Sequence, residues 1–381
     1  MSASILIYSE TNPRAVLAFC RYAKQIGLSF HIVANGDEDS IFQTIYVNEV
    51  LSTRSKDTLE LEDLLKTANQ IRSLDGTSEV LVLPSTEYLN RFLVRNQAEL
   101  EKNCIITGLC KEKIYNLISD KHTFSAHCQA SGITIPKEYT TIPLSFPFVV
   151  KPKVYAQDLN SVNEKPILVG NEKDMAQVRK LKHIDNYYFQ EYVDGASFYL
   201  LYHFFKNGEY TIFSQENLIQ QDNGASIVLA KSSGIHRESI GKKFADTFVK
   251  MGFSGLVMVE VKKFKGNYYM IEANPRFWGP SQLILDAGMS LFDDFLLDQG
   301  IIHKKNSFTY LQGVYYYWSG GLIQDQSDAK IPRFYNFSKE KFFEEFHELS
   351  IKDIYLREDA IKIYVDECSK AGFSKTIRTK Q

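Results

Sequence analysis

Paired cysteines are missing from this chain. Its five cysteines, Cys20, Cys104, Cys110, Cys128 and Cys368, are odd in number, scattered and without a C-x-x-C spacing. That pattern argues against a disulfide framework or a zinc ribbon, and the five read as small buried hydrophobes. Long apolar runs are missing too: no stretch approaches the ~20 residues that a membrane span needs. The opening MSASILIYSETNPR has only a short apolar run and no basic stretch before it. It does not read as a signal peptide, and the expected localisation is cytoplasmic. There is also no surplus of one charge. Lys and Arg number 44 against 46 Asp and Glu, a formal net charge of −2. Neither nucleic acid nor an anionic membrane is expected as a partner on that balance. No G-x-G-x-x-G follows the first apolar run, so a dinucleotide site there has no support.

What remains is a chain of 381 residues, 44% hydrophobic and 24% charged, long enough for two or three globular domains. Aromatic residues are plentiful at 13%, with 26 Phe and 22 Tyr. Apolar runs at 4–8, 30–34 and 80–83, separated by a helical pattern over 14–27, predict a parallel α/β sheet in roughly the first 110 residues. Ser119 and Asp120 read as caps for a helix that stops at Gly132. Strands are expected over 146–151 and 187–193. A hairpin is expected around Asn207-Gly208, and a helix over about 237–250 that ends at Gly252. Tyr315, Tyr316, Tyr317 and Trp318 form an aromatic run, followed by the amphipathic KEKFFEEFHEL and a basic tail.

The most informative stretch is LVMVEVKKFKGNYYMIEANPR, residues 256–276, which reads as a hairpin turning at Lys265-Gly266-Asn267. Alternation places Val257, Val259, Val261, Tyr269, Ile271 and Ala273 on one face, and Glu260, Glu272 and Asn274 on the other. A turn centred on Gly266 sets Glu260 directly opposite Glu272. Like charges facing each other across a strand pair destabilise it, so something must compensate. A hard divalent cation held by two carboxylates and an amide oxygen would do so. So would water between the two, or a bridging lysine such as Lys262, and one step of register would separate them.

Together with three upstream pieces, this hairpin resembles the ATP-grasp superfamily. The pieces, in order, are SDK with Lys121 at a helix start, FPFVVKP with Lys151 at a strand end, FQEYVDG over 189–195, and the hairpin ending IEANPR. The ending NPRFWGP is similar to the carbamoyl-phosphate synthase and biotin carboxylase side of the superfamily, and to carboxylate–amine ligases of biosynthetic clusters. The resemblance implies a mixed α/β and α+β fold with four parts: an N-terminal parallel α/β domain over 1–113, a small α+β lid over 114–195, a C-terminal α+β domain with an antiparallel sheet over 196–310 that carries metal and ATP, and an extension over 311–381. It implies that Lys121 and Lys151 contact nucleotide phosphates, that Gln190, Glu191, Tyr192 and Val193 form the adenine hinge, with Phe148 and Tyr188 nearby, that Glu260, Glu272 and Asn274 hold Mg²⁺, usually two ions, with Mn²⁺ as a substitute, and that Arg276 stabilises charge on the transferring phosphate. The implied reaction activates a carboxylate as an acyl phosphate and joins it to an amine, releasing ADP and phosphate.

The sequence departs from the family pattern in two places. Between Lys151 and Gly170 there is no glycine, where relatives carry a glycine-rich hairpin over the phosphates, so Gln157, Asn160, Ser161 and Asn163 are expected to serve instead. The acid that often binds the ribose is absent after the hinge glycine, and Asp194 or Ser197 is expected in that role. Lys231 and His236 are candidates for the γ-phosphate or the substrate carboxylate, and the strand-closing Pro84-Ser85-Thr86-Glu87 for the substrate. The expected partners are a small-molecule acid and amine, with a homodimer common among similar enzymes. Two other functions are weighed against the ligase: a nucleotide-binding regulatory protein on the same fold, motivated by the two departures, and a small-molecule kinase.

Overall fold

A computed structural model of the chain describes residues 3–9, 11–54, 58–153 and 166–370. The side chains expected to close over the phosphates, Gln157, Asn160, Ser161 and Asn163, lie outside the described residues. Among the described residues no helix is long and apolar enough to cross a membrane.

Five short strands open the fold: β1 (Ala3–Tyr8), β2 (Phe30–Asn35), β3 (Val50–Arg54), β4 (Glu79–Val82) and β5 (Ile105–Ile106). They pair in parallel in the order β3-β2-β1-β4-β5. Alternate residues of β1 feed two cores: Ile5 and Ile7 pack with helix Pro13–Gln25, while Leu6 and Tyr8 pack with helix Leu61–Asp75. Burial on both faces explains why this strand reads as an unbroken apolar run. Pro13 stands in the first turn of its helix, where its missing N–H costs nothing. The strand order reverses between β1 and β4, and the crevice at their carboxyl ends opens toward the rest of the molecule.

The second sheet is antiparallel: β6 (Glu138–Tyr139), β7 (Phe148–Pro152), β8 (Ile167–Val169) and β9 (Tyr187–Glu191), in the order β6-β9-β7-β8. Helix Lys121–Ala130 lies before it in the chain. Asp120 caps that helix, accepting from the N–H groups of His122 and Thr123, both at 3.1 Å. Ser119 is instead the last residue of the preceding helix, and its Oγ accepts from Arg91.

The third and largest sheet has seven strands: β10 (Ala196–Phe204), β11 (Tyr210–Gln220), β12 (Ile227–Ser232), β13 (Gly255–Phe264), β14 (Asn267–Asn274), β15 (Tyr315–Tyr317) and β16 (Arg333–Phe334). Its main order is β14-β13-β10-β11-β12-β15, with β16 added beside β11. The back face, Phe198, Leu200, Tyr202, Val257, Val259 and Val261, packs on helix Ser239–Met251 and on Tyr115, Ile118 and Phe124. The front face carries Leu201, Tyr199 and Met258 against the core that holds helix Pro13–Gln25. The aromatic run Tyr315–Tyr317 is therefore an edge strand, with Tyr316 and Tyr317 buried in two different cores.

The β13–β14 hairpin differs from its expected register. Lys265 and Gly266 both have positive φ, 48° and 81°, and make a tight two-residue turn that pairs Phe264 with Asn267. That register alone would set Glu260 opposite Ile271. A bulge between Glu260 and Val261 inserts Ile271 as an extra residue, so that Val261 faces Met270 while Glu260 faces Glu272. The predicted face changes with it: Met270, not Tyr269 or Ile271, joins Val261 in the back core.

Gly195 joins the second sheet to the third where no side chain fits. A Cβ there would stand 2.3 Å from the Lys263 carbonyl oxygen on β13. Gly195→Ala is expected to destabilise the fold by about 1–3 kcal/mol, the usual cost of overpacking against backbone. The measurement is a lowered urea midpoint at unchanged slope; an unshifted midpoint would contradict the close approach.

Candidate functional site

The three sheets converge on one cleft of about 1840 Å³. Lys121, Lys151, Gln190, Glu191, Tyr192, Val193, Glu260, Glu272, Asn274 and Arg276 all line it. They come from five separate chain segments, and strand geometry explains how each arrives.

Glu260 and Glu272 face each other at the bulge. Glu260 is buried, 7% exposed, and a chain of amides fixes it. Ser197 Oγ donates to Glu260 Oε1 at 3.0 Å, Asn217 Nδ2 donates to Ser197 Oγ at 2.8 Å, and Gln215 Nε2 donates to Asn217 Oδ1 at 2.8 Å. Ser197, Asn217 and Gln215 are fully buried. Glu272 pairs with Lys121 Nζ at 2.7 Å and accepts from Asn274 Nδ2 at 2.9 Å. Lys151 is 5% exposed, and its Nζ donates to the carbonyl of Ile271 at 3.1 Å. The bulge thus does two things: it brings the carboxylates face to face, and it turns one carbonyl toward the buried lysine.

The charges respond unequally. Burial pushes Glu272 up, but the ammonium of Lys121, the amide of Asn274 and the charge of Lys151 outweigh it and hold the carboxyl at about 2. Glu260 goes the other way: burial and the charge of Glu272 raise it, and Lys262, Ser197 and Lys151 oppose only part of that rise. Burial and the neighbouring Lys121 lower Lys151 to about 8, against the pull of Glu272 and Glu260. The two carboxylates therefore repel each other across the strands and are offset unequally by the surrounding lysines. Among the described residues no group of three or more His, Cys, Asp or Glu is placed to hold a metal ion. The protein donors available are two carboxylates and, with its amide turned over, the Oδ1 of Asn274. An all-oxygen set of this size fits a hard cation that keeps other ligands from substrate phosphate, as Mg²⁺ does.

Of the residues expected at the hinge, Gln190 is buried, with Nε2 donating to Glu138 at 3.3 Å and Oε1 meeting no partner among the described residues. The backbone N–H of Glu191 donates to Lys137 O at 2.8 Å. Tyr192 accepts from Arg333 Nη1. Phe148 and Tyr188 are buried and are not among the lining residues. Arg276 donates through Nη1 to Phe277 O at 2.9 Å.

Three expectations need correction. Ser197 does not line the cleft; it is buried behind Glu260 and orients that carboxylate, so it offers no ribose contact. Lys231 pairs with Glu216 at 3.1 Å on the back of the sheet. Alternation across β11, β10 and β13 sets Lys231, Glu216, Phe198 and Val261 on one face and Glu260 on the other. His236 also lies outside the cleft, bonded to Ser214 Oγ at 2.8 Å and packed on Tyr310. Thr86 and Glu87 do line the cleft.

Several basic residues of the cleft had no site role in the sequence, among them Lys262, offered there only as a bridge between the carboxylates, Arg333 and Arg14. Lys262 is buried, its Nζ 5.1 Å from the Tyr192 ring and 4.9 Å from the Tyr335 ring, and burial lowers its pKa. The signal for it was available, because Lys262 follows Glu260 by two residues and so shares its face. Arg333, on the short β16, and Arg14, at a helix start, gave no such signal.

No known family model matches the chain, and no curated protein does. Solved structures do. N5-carboxyaminoimidazole synthetase from Staphylococcus aureus superposes with a TM-score of 0.60 at 16% identity, over 86% of this chain and 85% of that one. The biotin carboxylase β-γ-ATP complex from Campylobacter jejuni gives 0.58 at 15%, over 81% and 74%. L-amino acid ligase from Bacillus licheniformis gives 0.56 at 17%, over 80% and 75%. At such identities the likeness is one of fold, and that fold is the ATP-grasp architecture implied by the motif order.

The state of Lys151 generates a pH dependence. A lysine with a pKa near 8 is neutral at higher pH, so ATP phosphate held there, as the motif leads one to expect, would require uptake of a proton. ATP affinity is expected to fall as pH rises through about 8, by roughly tenfold per unit well above it. Lys151→Arg, charged throughout, should flatten the profile. Calorimetry in buffers of different ionisation heat reads both; a flat wild-type profile with no proton uptake would remove Lys151 from the phosphate site.

Proposed function

We propose that the chain is an ATP-dependent ligase that activates a carboxylate as an acyl phosphate and joins it to an amine. One observation carries this reading: two lysines, two facing carboxylates, an amide and an arginine, from separate segments, converge on one cleft. The neighbours in fold, a synthetase, a carboxylase and a ligase, support it.

ATP would lie with its base against Gln190–Val193 and its phosphates beside Lys121 and Lys151. Glu260, Glu272 and Asn274 would hold Mg²⁺, which when bound would supply positive charge to offset that of the phosphates. Lys121 and Glu272 now compensate one another directly; phosphate beside the lysine and a cation beside the carboxylate would exchange that pair for two. An oxygen of the substrate carboxylate attacks the γ-phosphorus, the bond to the β–γ bridging oxygen breaks, and ADP departs. Arg276 stands at the end of β14 to stabilise charge on the group in flight. The amine nitrogen then attacks the acyl carbon, and phosphate leaves with the electrons of the C–O bond as the nitrogen loses its proton. The sheet of β6–β9, closing from the opposite side, would keep water from the acyl phosphate.

The test is incubation with Mg-ATP and pools of acids and amines, with ADP detection and mass analysis of products. Glu272→Gln and Lys151→Ala are each expected to lower kcat/KM by about 100-fold or more, on the scale of losing one group that stabilises transferring charge. ADP release that survives both substitutions would remove this cleft from the reaction. ATP binding without turnover would favour a nucleotide-binding protein, and a stable phosphorylated product without an amide would favour a kinase.

A further inference from the structure

Beyond Tyr199, the cleft wall carries a guanidinium that the chemistry above does not use. Arg14 opens helix Pro13–Gln25, beside the crevice between β1 and β4, and lines the cleft. It is held from several directions. Its guanidinium carbon lies 3.8 Å from the centre of the Trp318 ring. Gly279 abuts it so closely that a Cβ there would stand 3.0 Å from Nη2. Nη1 donates to Ile227 O at 3.1 Å and to the Tyr316 hydroxyl at 3.3 Å, and Nη2 donates to Ser226 Oγ at 3.2 Å. Arginine has five N–H groups. The Nε–H and the second Nη2–H meet no acceptor among the described residues. Nε and Nη2 share the side-on edge of the planar fork, the edge that grips a carboxylate through two parallel bonds.

The surroundings narrow what that carboxylate belongs to. Tyr199, Ile227, Met258 and Trp278 also line the cleft and give it apolar surface, beside the polar Asn12 and Ser226. The indole N–H of Trp278 is buried and meets no acceptor among the described residues, so it remains available to an outside partner. Tyr199 joins this wall to the carboxylates, because it stands directly opposite Glu260 across β10 and β13. Arg276 stands in the IEANPR loop beside the carboxylates, and Arg14 approaches from the parallel sheet. Two arginines from two walls suit a ligand with two anionic ends, one reacting and one not.

We infer that Arg14 anchors a carboxylate that the reaction does not consume, so that one reactant is an apolar molecule bearing such a group. This rests on the ligase reading for the word reactant, and on the geometry alone for the carboxylate. Two sources share the chemistry: a dicarboxylic acid as the acid, or an amino acid as the amine. Because the fork is already immobilised, the ligand and not the protein meets most of the ordering cost.

The test uses the full chain loaded with Mg²⁺ and a non-hydrolysable ATP analogue. Calorimetry compares phenylsuccinate with its monoamide, and L-phenylalanine with L-phenylalaninamide. In one of the two comparisons, changing the carboxylate to an amide is expected to weaken binding by about 10- to 150-fold, the range for charge-assisted hydrogen bonds. The pair that responds identifies the source. In Arg14→Met and Arg14→Lys the difference should shrink to within about twofold, because neither has the fork, while affinity for the ATP analogue stays unchanged. Arg14→Lys, which keeps charge and stem, covers the case in which Arg14→Met does not fold, as judged by thermal melting. If neither acid binds more tightly than its amide, or if the variants keep the difference, the inference is overturned. Glu272-dependent ADP release without this discrimination leaves the ligase reading standing and removes the anchor. Discrimination that depends on Arg14 without ADP release from any pair does the reverse.

Discussion

Two carboxylates facing each other across a hairpin are the constraint on which the site depends. Glu260 and Glu272 repel, and a strand pair does not place them together without compensation. The compensation comes from far along the chain: Lys121 from a helix start and Lys151 from the end of β7. The hairpin therefore draws the second and third sheets toward one line. The Ile271 bulge is the hinge pin of this arrangement, since a regular ladder from the same turn would have paired Glu260 with an aliphatic residue and left Lys151 without its carbonyl. Bulges are common beside active sites for this reason, because they re-aim a side chain without altering the sheet.

The two carboxylates are chemically alike and electrostatically unequal. Glu272 has a lysine at 2.7 Å and an amide at 2.9 Å, and burial does not lift it from the ionised state. Glu260 accepts a hydrogen bond from the Ser197 hydroxyl, and burial together with the charge of Glu272 raises its pKa. The buried relay of Gln215, Asn217 and Ser197 gains its meaning here. It contributes no charge; it fixes the direction of a carboxylate that would otherwise turn away from its neighbour.

The sequence carried the fold well where the period of burial was simple. The buried strand 4–8, the capped helix at Asp120, the stop at Gly252 and the hairpin at Lys265-Gly266 are local signals, each with a local cause. The site was legible wherever one step of alternation settles the face, as for Glu260, Glu272 and Asn274. It was misread where alternation had to be carried through several strands. Lys231 is two strands from Glu260 in the sheet, across β11 and β10, and only the full register of those strands shows that it points to the back. Ser197 was placed at the right point on the chain but on the wrong side of its carboxylate, because depth from the surface has no signature in a short motif.

Arg14 shows the other limit. In the sequence it is the second residue of a helix after Asn12-Pro13, a position with many ordinary explanations. In the fold it meets Ser226 and Ile227 at the start of β12, Gly279 beyond the NPR loop, Tyr316 on the edge strand and Trp318 just past it. Each of those partners is more than 200 residues away, so no window of the sequence contains the site. This also recasts the aromatic surplus. The Tyr315–Trp318 run is not a substrate wall in itself: Tyr316 and Trp318 grip the arginine that is one. Near-neutral net charge conceals the same division, with carboxylates and lysines balancing at one end of the cleft and an immobilised, partly unspent guanidinium at the other.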